Sequence, residues 1–271
     1  MANKIFTGAT SGDFSVAGNW LSGSAPVAAD NLFFIADYNV DLTAGLDQTA
    51  VTYGKLIVEA GYTGKIGTKI AYLQIPCTDV DFKGSGESYI DVSTSAIDIR
   101  VDGTGPAPTG KSGLYLKGSA IDEINVISGS VGVASKAGET ATVTTIVLNG
   151  GAVVVGDGCT LTNATVYSGQ LNSQASVTTL KIYNGSSVLV EAAAVTTLSL
   201  FNGSHTHNGT GTIATANIEG GTLDLFRSGL ARTITTLNLN PGGNVIYDPD
   251  LITITTLNIT GGPTQISSNN A

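Results

Sequence analysis

The sequence has little charge, few aromatic side chains and only two cysteines. Charged residues make up 12% of its 271 residues and aromatic residues 6%. The net charge is −9 with only 12 lysines and arginines, which argues against binding to nucleic acid or to an anionic membrane surface, because both need clustered positive charge. The hydrophobic share of 42% excludes a disordered chain, since disorder requires low hydrophobicity and high charge.

Long apolar runs are also missing. No run approaches the roughly 18 apolar residues that a membrane-spanning helix needs. The opening Met1-Ala-Asn-Lys-Ile-Phe6 lacks the apolar segment of a secretory signal peptide. Both absences predict a chain that folds in a cytoplasm. Cys77 and Cys159 lie far apart without metal-type spacing, so we expect two reduced, buried thiols.

What the sequence does contain is a short repeat in its second half. Val143-Thr-Thr-Ile-Val-Leu148 and Val195-Thr-Thr-Leu-Ser-Leu200 are near copies of one another, and successive copies start 16 to 22 residues apart. Repeats of this length indicate a stack of similar units, each too small to bury its apolar face alone. The eight copies start at Ile121, Val143, Leu161, Val177, Val195, Ile213, Ile234 and Ile254.

Each copy has the pattern of a strand followed by a corner. Apolar residues occupy positions 1, 4 and 6 of the repeat, and pairs such as Asn149-Gly150 or Asn202-Gly203 follow. Positions 4 and 6 share one face of a strand, while Gly and Asn tolerate the positive φ of a sharp corner. The pattern predicts an all-β fold, a parallel β-solenoid with coils of 16 to 22 residues, outward Thr ladders and partial Asn ladders. A β-propeller needs blades of about 40 residues and fits less well.

Three regions follow from the distribution of residue types. Residues 1–90 hold the only tryptophan and most of the tyrosines and phenylalanines, and we interpret them as an aromatic-rich capping or docking region, because a solenoid has raw ends. Residues 91–262 form the predicted solenoid. Residues 263–271 are polar, and we expect this tail to fray or to pair with another chain.

Two motifs suggest ligands only weakly. Gly105-Pro-Ala-Pro-Thr-Gly-Lys-Ser112 satisfies the spacing of a phosphate-binding loop, but two prolines remove N–H donors and no helix pattern follows. His205 and His207, the only histidines, would share a strand face and could chelate a metal, with six nitrogens around a threefold axis. We favour an exposed polar turn for this pair, and we expect no cofactor.

Paired carboxylates are the residues that glycan cleavage would need. Asp79 and Asp81 share a strand face, and Asp248 and Asp250 flank Pro249. Aromatic platforms for a sugar are scarce after Ile121, so solvated turn carboxylates are the preferred interpretation. We therefore expect no enzyme activity and no small-molecule substrate.

The opening phrase of the chain resembles a known group of proteins. Phe6 to Asp30 contains Asn19-Trp20, Gly23, Pro26 and Asp30, which is similar to the start of solenoid proteins on tailed-bacteriophage virions and on bacterial surfaces. The resemblance implies a virion component, commonly a homotrimer, that decorates a capsid or forms a fibre. Asn19, Trp20, Pro26 and Asp30 are the candidate cap or docking residues, with Trp20 covering the first coil.

The expected function is that of a structural head-decoration protein on the virion surface, made in the host cytoplasm. Its partner would be the major capsid protein or another virion protein, and we expect a homotrimer. Binding only to the assembled shell would stabilise it without chemistry. Two alternatives stay open: a tail spike or fibre that binds or cleaves host glycan, and a bacterial surface adhesin.

Overall fold

The structure, a computed structural model, is a parallel β-solenoid built from two sheets. It describes residues 1–92, 97–103, 113–227 and 229–261, and the backbone of a last strand at 265–268. Two short 3-10 helices, Ala17–Asn19 and Ala36–Tyr38, accompany the strands. The predicted fold class is therefore confirmed.

Sheet 1 contains the repeated strands. Each of its strands pairs in parallel with the equivalent strand one coil earlier and one coil later. Its strands are β1 (Asn3–Phe6), β2 (Asn31–Phe34), β3 (Lys55–Val58), β5 (Asp79–Phe82), β7 (Ile97–Val101), the second half of β8 (Leu114–Val126), β10 (Ala141–Leu148), β12 (Cys159–Val166), β14 (Val177–Ile182), β16 (Val195–Leu200), β18 (Ile213–Ile218), β20 (Arg232–Leu239) and β22 (Ile252–Ile259).

Sheet 2 forms the opposite wall. Its strands also pair in parallel from coil to coil, and the first half of β8 belongs to this sheet. The strands are β4 (Leu73–Gln74), β6 (Ser88–Asp91), β9 (Ser130–Val133), β11 (Ala152–Val155), β13 (Gln170–Ser173), β15 (Ser186–Leu189), β17 (Ser204–His207), β19 (Gly221–Asp224), β21 (Gly243–Tyr247) and β23 (Gln265–Ser268).

The register of sheet 1 confirms the repeat alignment residue by residue. Each predicted start is paired with the next, from Ile121 with Val143 through to Ile234 with Ile254. Repeat positions 1, 4 and 6 point inward, as with Val195, Leu198 and Leu200, which are at most 1% exposed. Stacked aliphatic side chains thus fill one continuous apolar column between the sheets.

The corners contain the expected glycines and asparagine pairs. Gly151 has a φ of +72°, and a Cβ at this position would lie 2.3 Å from the carbonyl oxygen of Gly129 in the preceding coil. Only glycine permits both the backbone conformation and this close approach. Asn202 Nδ2 donates to Asn184 Oδ1 over 2.9 Å, which confirms an amide ladder at the corner.

The first 90 residues belong to the same stack, although their coils are longer. β1 pairs with β2 at a spacing of 28 residues and β2 with β3 at 24 (Asn3 with Asn31, Leu32 with Leu56). Sheet 1 then continues from β5 to β7 across residue 90 without interruption. The predicted boundary at residue 90 therefore lies within one continuous sheet.

The prediction for the tail needs correction. β23 lies in the predicted polar tail, yet it pairs in parallel with β21, with Asn244 opposite Gln265. This part of the tail closes the last coil of sheet 2 of its own chain, because its backbone completes the ladder that β21 leaves open.

Both cysteines are present as buried thiols, as expected. Burial raises the pKa of each thiol to about 12, so both remain protonated and unreactive near neutral pH.

Candidate functional site

The N-terminal end of the column is closed by aromatic side chains. Trp20 is 2% exposed, and its indole packs edge-on against Phe6 and Phe14 at ring-centroid distances of 5.3 and 5.0 Å. Its Nε1–H donates to the carbonyl oxygen of Phe14 over 2.8 Å. Trp20 therefore packs on the first strand of the column, where the cap was predicted, and its role as a cap or docking residue stays a prediction.

Asn19 fixes the loop that carries this tryptophan. Its side chain is fully buried, and its Oδ1 accepts hydrogen bonds of 2.8 Å from the N–H groups of Thr10 and Ser11. Its Nδ2 donates to the carbonyl oxygen of Asp13 and to the hydroxyl of Ser11. One amide therefore satisfies several backbone groups that the tight loop cannot pair by itself.

Asp30 ties the end of the opening phrase to the chain start. Its carboxylate accepts from the N–H of Ala2 over 2.8 Å and from the N–H of Val27 over 3.2 Å. Burial raises the pKa of this carboxyl, but the two hydrogen bonds and the nearby Lys4 outweigh it, so the pKa lies below its ordinary value. Pro26 is buried in the same loop.

The four candidate residues thus build the cap and are hidden from a partner. The exposed apolar side chains of the region are their neighbours Leu21 and Val27, at 59% and 62% exposure. Docking of a partner remains a prediction. Its expected contacts are now Leu21 and Val27 instead of the four buried residues. The sequence could have indicated Leu21 and Val27, because each is an apolar residue that directly follows a buried cap candidate, Trp20 or Pro26.

The histidine pair does not lie in an exposed turn, and that interpretation was wrong. His205 and His207 lie on β17 and point into the column, each with 0% exposure. They occupy the inward positions held one coil earlier by Ser187 and Leu189. A ligand set around an external threefold axis is therefore excluded.

The two imidazoles form a closed hydrogen-bond chain. His207 Nε2 lies 2.9 Å from the carbonyl oxygen of Gly211, to which it can only donate. His207 Nδ1 must then accept from His205 Nε2 at 3.3 Å, and His205 Nδ1 accepts from the Ser187 hydroxyl at 2.7 Å. Each ring carries one proton, so both rings are neutral and no ring nitrogen is left for a metal.

Burial and nearby positive charge maintain this neutral state. Burial lowers the pKa of His205 well below its ordinary value, with His207 and Arg232 acting in the same direction. The pKa of His207 falls to about 4 for the same reasons of burial and the Arg232 charge. Within the described ranges, no group of three or more metal-binding side chains comes together.

The carboxylate pairs are engaged in local contacts. Asp79 forms an ion pair of 3.3 Å with Lys55 on the neighbouring strand, and Asp81 forms one of 2.9 Å with Lys83. Asp248 accepts from the N–H of Asp250 over 2.9 Å and so shapes a turn. The phosphate-loop motif at 105–112 lies outside the described residues.

A groove that sequence reasoning missed runs beside sheet 2. Tyr89 on β6 and Tyr115 on β8 occupy the same position of successive coils, and their rings stack at 4.8 Å with an interplanar angle of 8°. The ammonium of Lys136 lies 3.9 and 4.1 Å from the two ring centroids. The similar phrases Ser88-Tyr-Ile-Asp91 and Leu114-Tyr-Leu-Lys117 were the signal that could have revealed this stack.

The groove has a volume of about 670 Å³ and a mixed polar lining. Lys65, Lys69 and Glu87 line it together with the tyrosine stack and Lys136. Desolvation lowers the pKa of Lys136, while burial and a hydrogen bond to Glu87 raise that of Tyr89. Aromatic rings beside amines and carboxylates form a surface that suits a polyhydroxylated ligand.

The Tyr72 side chain contacts the segment after β9 that carries Lys136. The Tyr72 hydroxyl donates a hydrogen bond to Glu139, and Lys136 Nζ lies 3.3 Å from the hydroxyl oxygen of Tyr72. Burial and the Glu139 contact raise the pKa of Tyr72. The lysine is thus held in place from two sides.

A second aromatic row lies at the corners of three later coils. Tyr167, Tyr183 and Phe201 stack at centroid distances of 4.9 and 4.6 Å. Tyr167 and Phe201 are 45% and 39% exposed.

The fold and the cap together define a capped parallel β-solenoid. A scan of family models finds none that matches the chain, and searches of curated proteins and of solved structures likewise find no match. Among the described residues, no helix has the length and hydrophobicity to cross a bilayer.

Proposed function

We propose that this protein is a non-enzymatic exterior component of a tailed-phage virion, with head decoration as its role. The observation that carries the proposal is the construction of the cap. Asn19, Trp20 and Asp30, which carry the resemblance to virion solenoids, are the residues that close the column in this chain. A rigid rod with a sealed end suits a part that must withstand the outside of a particle.

Decoration would act through binding alone. A protein that binds the assembled shell but not its free subunits stabilises the shell by mass action. The proposed partner is the major capsid protein or another virion protein, and the proposed oligomer is a homotrimer. Leu21 and Val27 beside the cap are the proposed contacts, because both are exposed apolar side chains and the burial of apolar surface favours association.

The location is tested by immunogold electron microscopy on phage particles that carry the protein. Label spread over the heads is the expected result, and label confined to the tails would contradict head decoration.

The contact is tested by co-sedimentation with shells that lack the protein. Leu21→Asp with Val27→Asp should weaken binding at least tenfold, whereas Ile70→Asp, at a still more exposed apolar residue, should not.

A glycan-binding fibre or spike is the second candidate, and the tyrosine–lysine groove is the observation that favours it. The stacked rings of Tyr89 and Tyr115 lie beside Lys136 and Glu87 in this groove. A bacterial surface adhesin would use the same groove.

A glycan array probed with the purified chain tests this candidate. Binding that is lost in Lys136→Ala and kept in Lys181→Ala, a lysine on β14 outside the groove, would support glycan recognition. An array without any binding would leave head decoration as the better proposal.

A further inference from the structure

The two ends of sheet 1 differ in how their backbone is satisfied. At the N-terminal end, the segment around Trp20 runs antiparallel along the outer edge of β1. The N–H of Thr7 donates to the carbonyl oxygen of Asn19 over 2.7 Å, and the N–H of Leu21 donates to that of Ile5 over 2.9 Å. The cap therefore occupies the edge that another strand would need.

The C-terminal end has no such cover. β22 pairs with β20 on one side, and none of the described strands pairs with its other side. Leu257 and Ile259 are 45% and 51% exposed, although their partners one coil earlier, Leu237 and Leu239, are fully buried. Both a row of backbone groups and the open end of the apolar column thus face outward in a single chain.

The edge of β22 also lacks the features that usually prevent strand pairing. Natural edge strands are protected by charged side chains, proline or bulges. Ile252-Thr-Ile-Thr-Thr-Leu-Asn-Ile259 contains no charged residue, no proline and no glycine, in a chain whose net charge is −9. Two copies of this edge can approach each other without charge repulsion.

The pattern of apolar and polar residues in β22 is the same from either end of the strand. Apolar residues stand at its first, third, sixth and eighth positions and polar residues at the other four. In an antiparallel pair of two such strands, Ile252 therefore lies opposite Ile259 of the second copy, and Ile254 opposite Leu257. Every inward apolar residue meets an apolar residue, and the register is specified because a slip by one residue would break this match.

We propose that two copies of this chain associate end to end through antiparallel pairing of their β22 strands about a twofold axis. The occupant is a second copy because the edge is neutral and its pattern is its own complement, which is the condition for an isologous contact. Head-to-tail stacking is blocked, since the cap fills the edge of β1. This inference does not depend on the virion role. It is an alternative to the homotrimer that the resemblance implies, and the mass of the assembly decides between the two.

The test is the mass of the full chain, measured by sedimentation equilibrium over a range of concentrations. The expected species has twice the 27.4-kDa mass of one chain. Leu257→Asp combined with Ile259→Asp should produce monomers, and Ile70→Asp, which adds one negative charge at a residue 95% exposed elsewhere, should leave the dimer intact. Far-UV circular dichroism verifies that each variant is folded, as expected for substitutions of exposed side chains.

A second measurement locates the contact on the strand itself. Amide hydrogen exchange in β22 should slow as the concentration of the wild-type chain rises, because the outer N–H groups become paired. A monomer at every concentration, a trimer, or a dimer that survives Leu257→Asp with Ile259→Asp would each overturn the proposal. Loss of the dimer in Ile70→Asp as well would also overturn it, since the contact would then lie elsewhere.

Discussion

Acidification is expected to destabilise this protein through its buried histidine pair. The unfolded imidazoles have pKa values of about 6.5, whereas the folded pKa of His207 is about 4 and that of His205 lies well below its ordinary value. As the pH falls below about 7, the unfolded chain takes up protons that the folded chain cannot accept. Stability is therefore complete above the unfolded pKa and declines as the pH falls towards each folded value.

The structure sets the magnitude of this loss. At about pH 5, the difference between the unfolded and folded pKa values of His207 costs the folded state about 2 kcal/mol. The lowered pKa of His205 adds to this loss in the same direction. A loss of about 2 kcal/mol is already a considerable part of the 5–15 kcal/mol that is typical of folded proteins.

Two assays measure the effect. Urea unfolding at about pH 7.5 and about pH 5 gives the free-energy difference, and His207→Gln should reduce it by about 2 kcal/mol because this titrating ring is removed. The carbon-bound ring protons of the only two histidines report each folded pKa directly by NMR. A ring of the folded protein that titrates near pH 6.5, or an unfolding free energy independent of pH in this range, would refute the reasoning.

Three further predictions concern the corners, the cap and the thiols. Gly151→Ala should cost at least about 2 kcal/mol by urea unfolding, whereas Gly242→Ala, with φ +88° but no atom within 4 Å of its Cβ, should cost about 1 kcal/mol from strain alone. Asn19→Ala should cost about 2–4 kcal/mol, seen as an earlier change in tryptophan fluorescence, because it removes a fully buried amide with four hydrogen bonds to the loop. Cys77 and Cys159 should resist alkylation in the native protein and react after unfolding, and rapid native reaction of either thiol would contradict its burial.

The stack could be predicted from the sequence because its repeat fixes both periodicity and register. Val195 and Ile213 were aligned by their shared phrase, and the same residues face each other in sheet 1. Parallel stacking places equivalent side chains above one another, so one correct alignment determines all of them.

The second strand of each coil was harder to predict because polar residues can occupy its inward positions. Ser204-His-Thr-His207 has the composition of a turn, and nothing in its own pattern indicates that both imidazoles face the column. Comparison with Ser186–Leu189 one coil earlier indicates the inward orientation of the imidazoles. Ser187 points inward at the position of His205 and forms a hydrogen bond with it. The burial of a polar pair depends on its neighbours in space.

The tyrosine–lysine groove was missed for a related reason. Tyr72 and Glu139, which share a hydrogen bond, are 67 residues apart in sequence, and irregular coils separate them. No constant spacing connects such residues, so only the folded stack brings them together.

The position of each candidate surface allows the proposals to be separated experimentally. A solenoid transmits few effects along its axis, because each coil contacts only its neighbours. The three candidate surfaces lie on coils that are far apart along the stack. They are represented by Leu21 beside the cap, Lys136 in the lateral groove and Leu257 at the open end. A substitution at one of them should leave the other two surfaces unchanged. Loss of shell binding without loss of the dimer, or the reverse, would therefore assign each function to its own part of the rod.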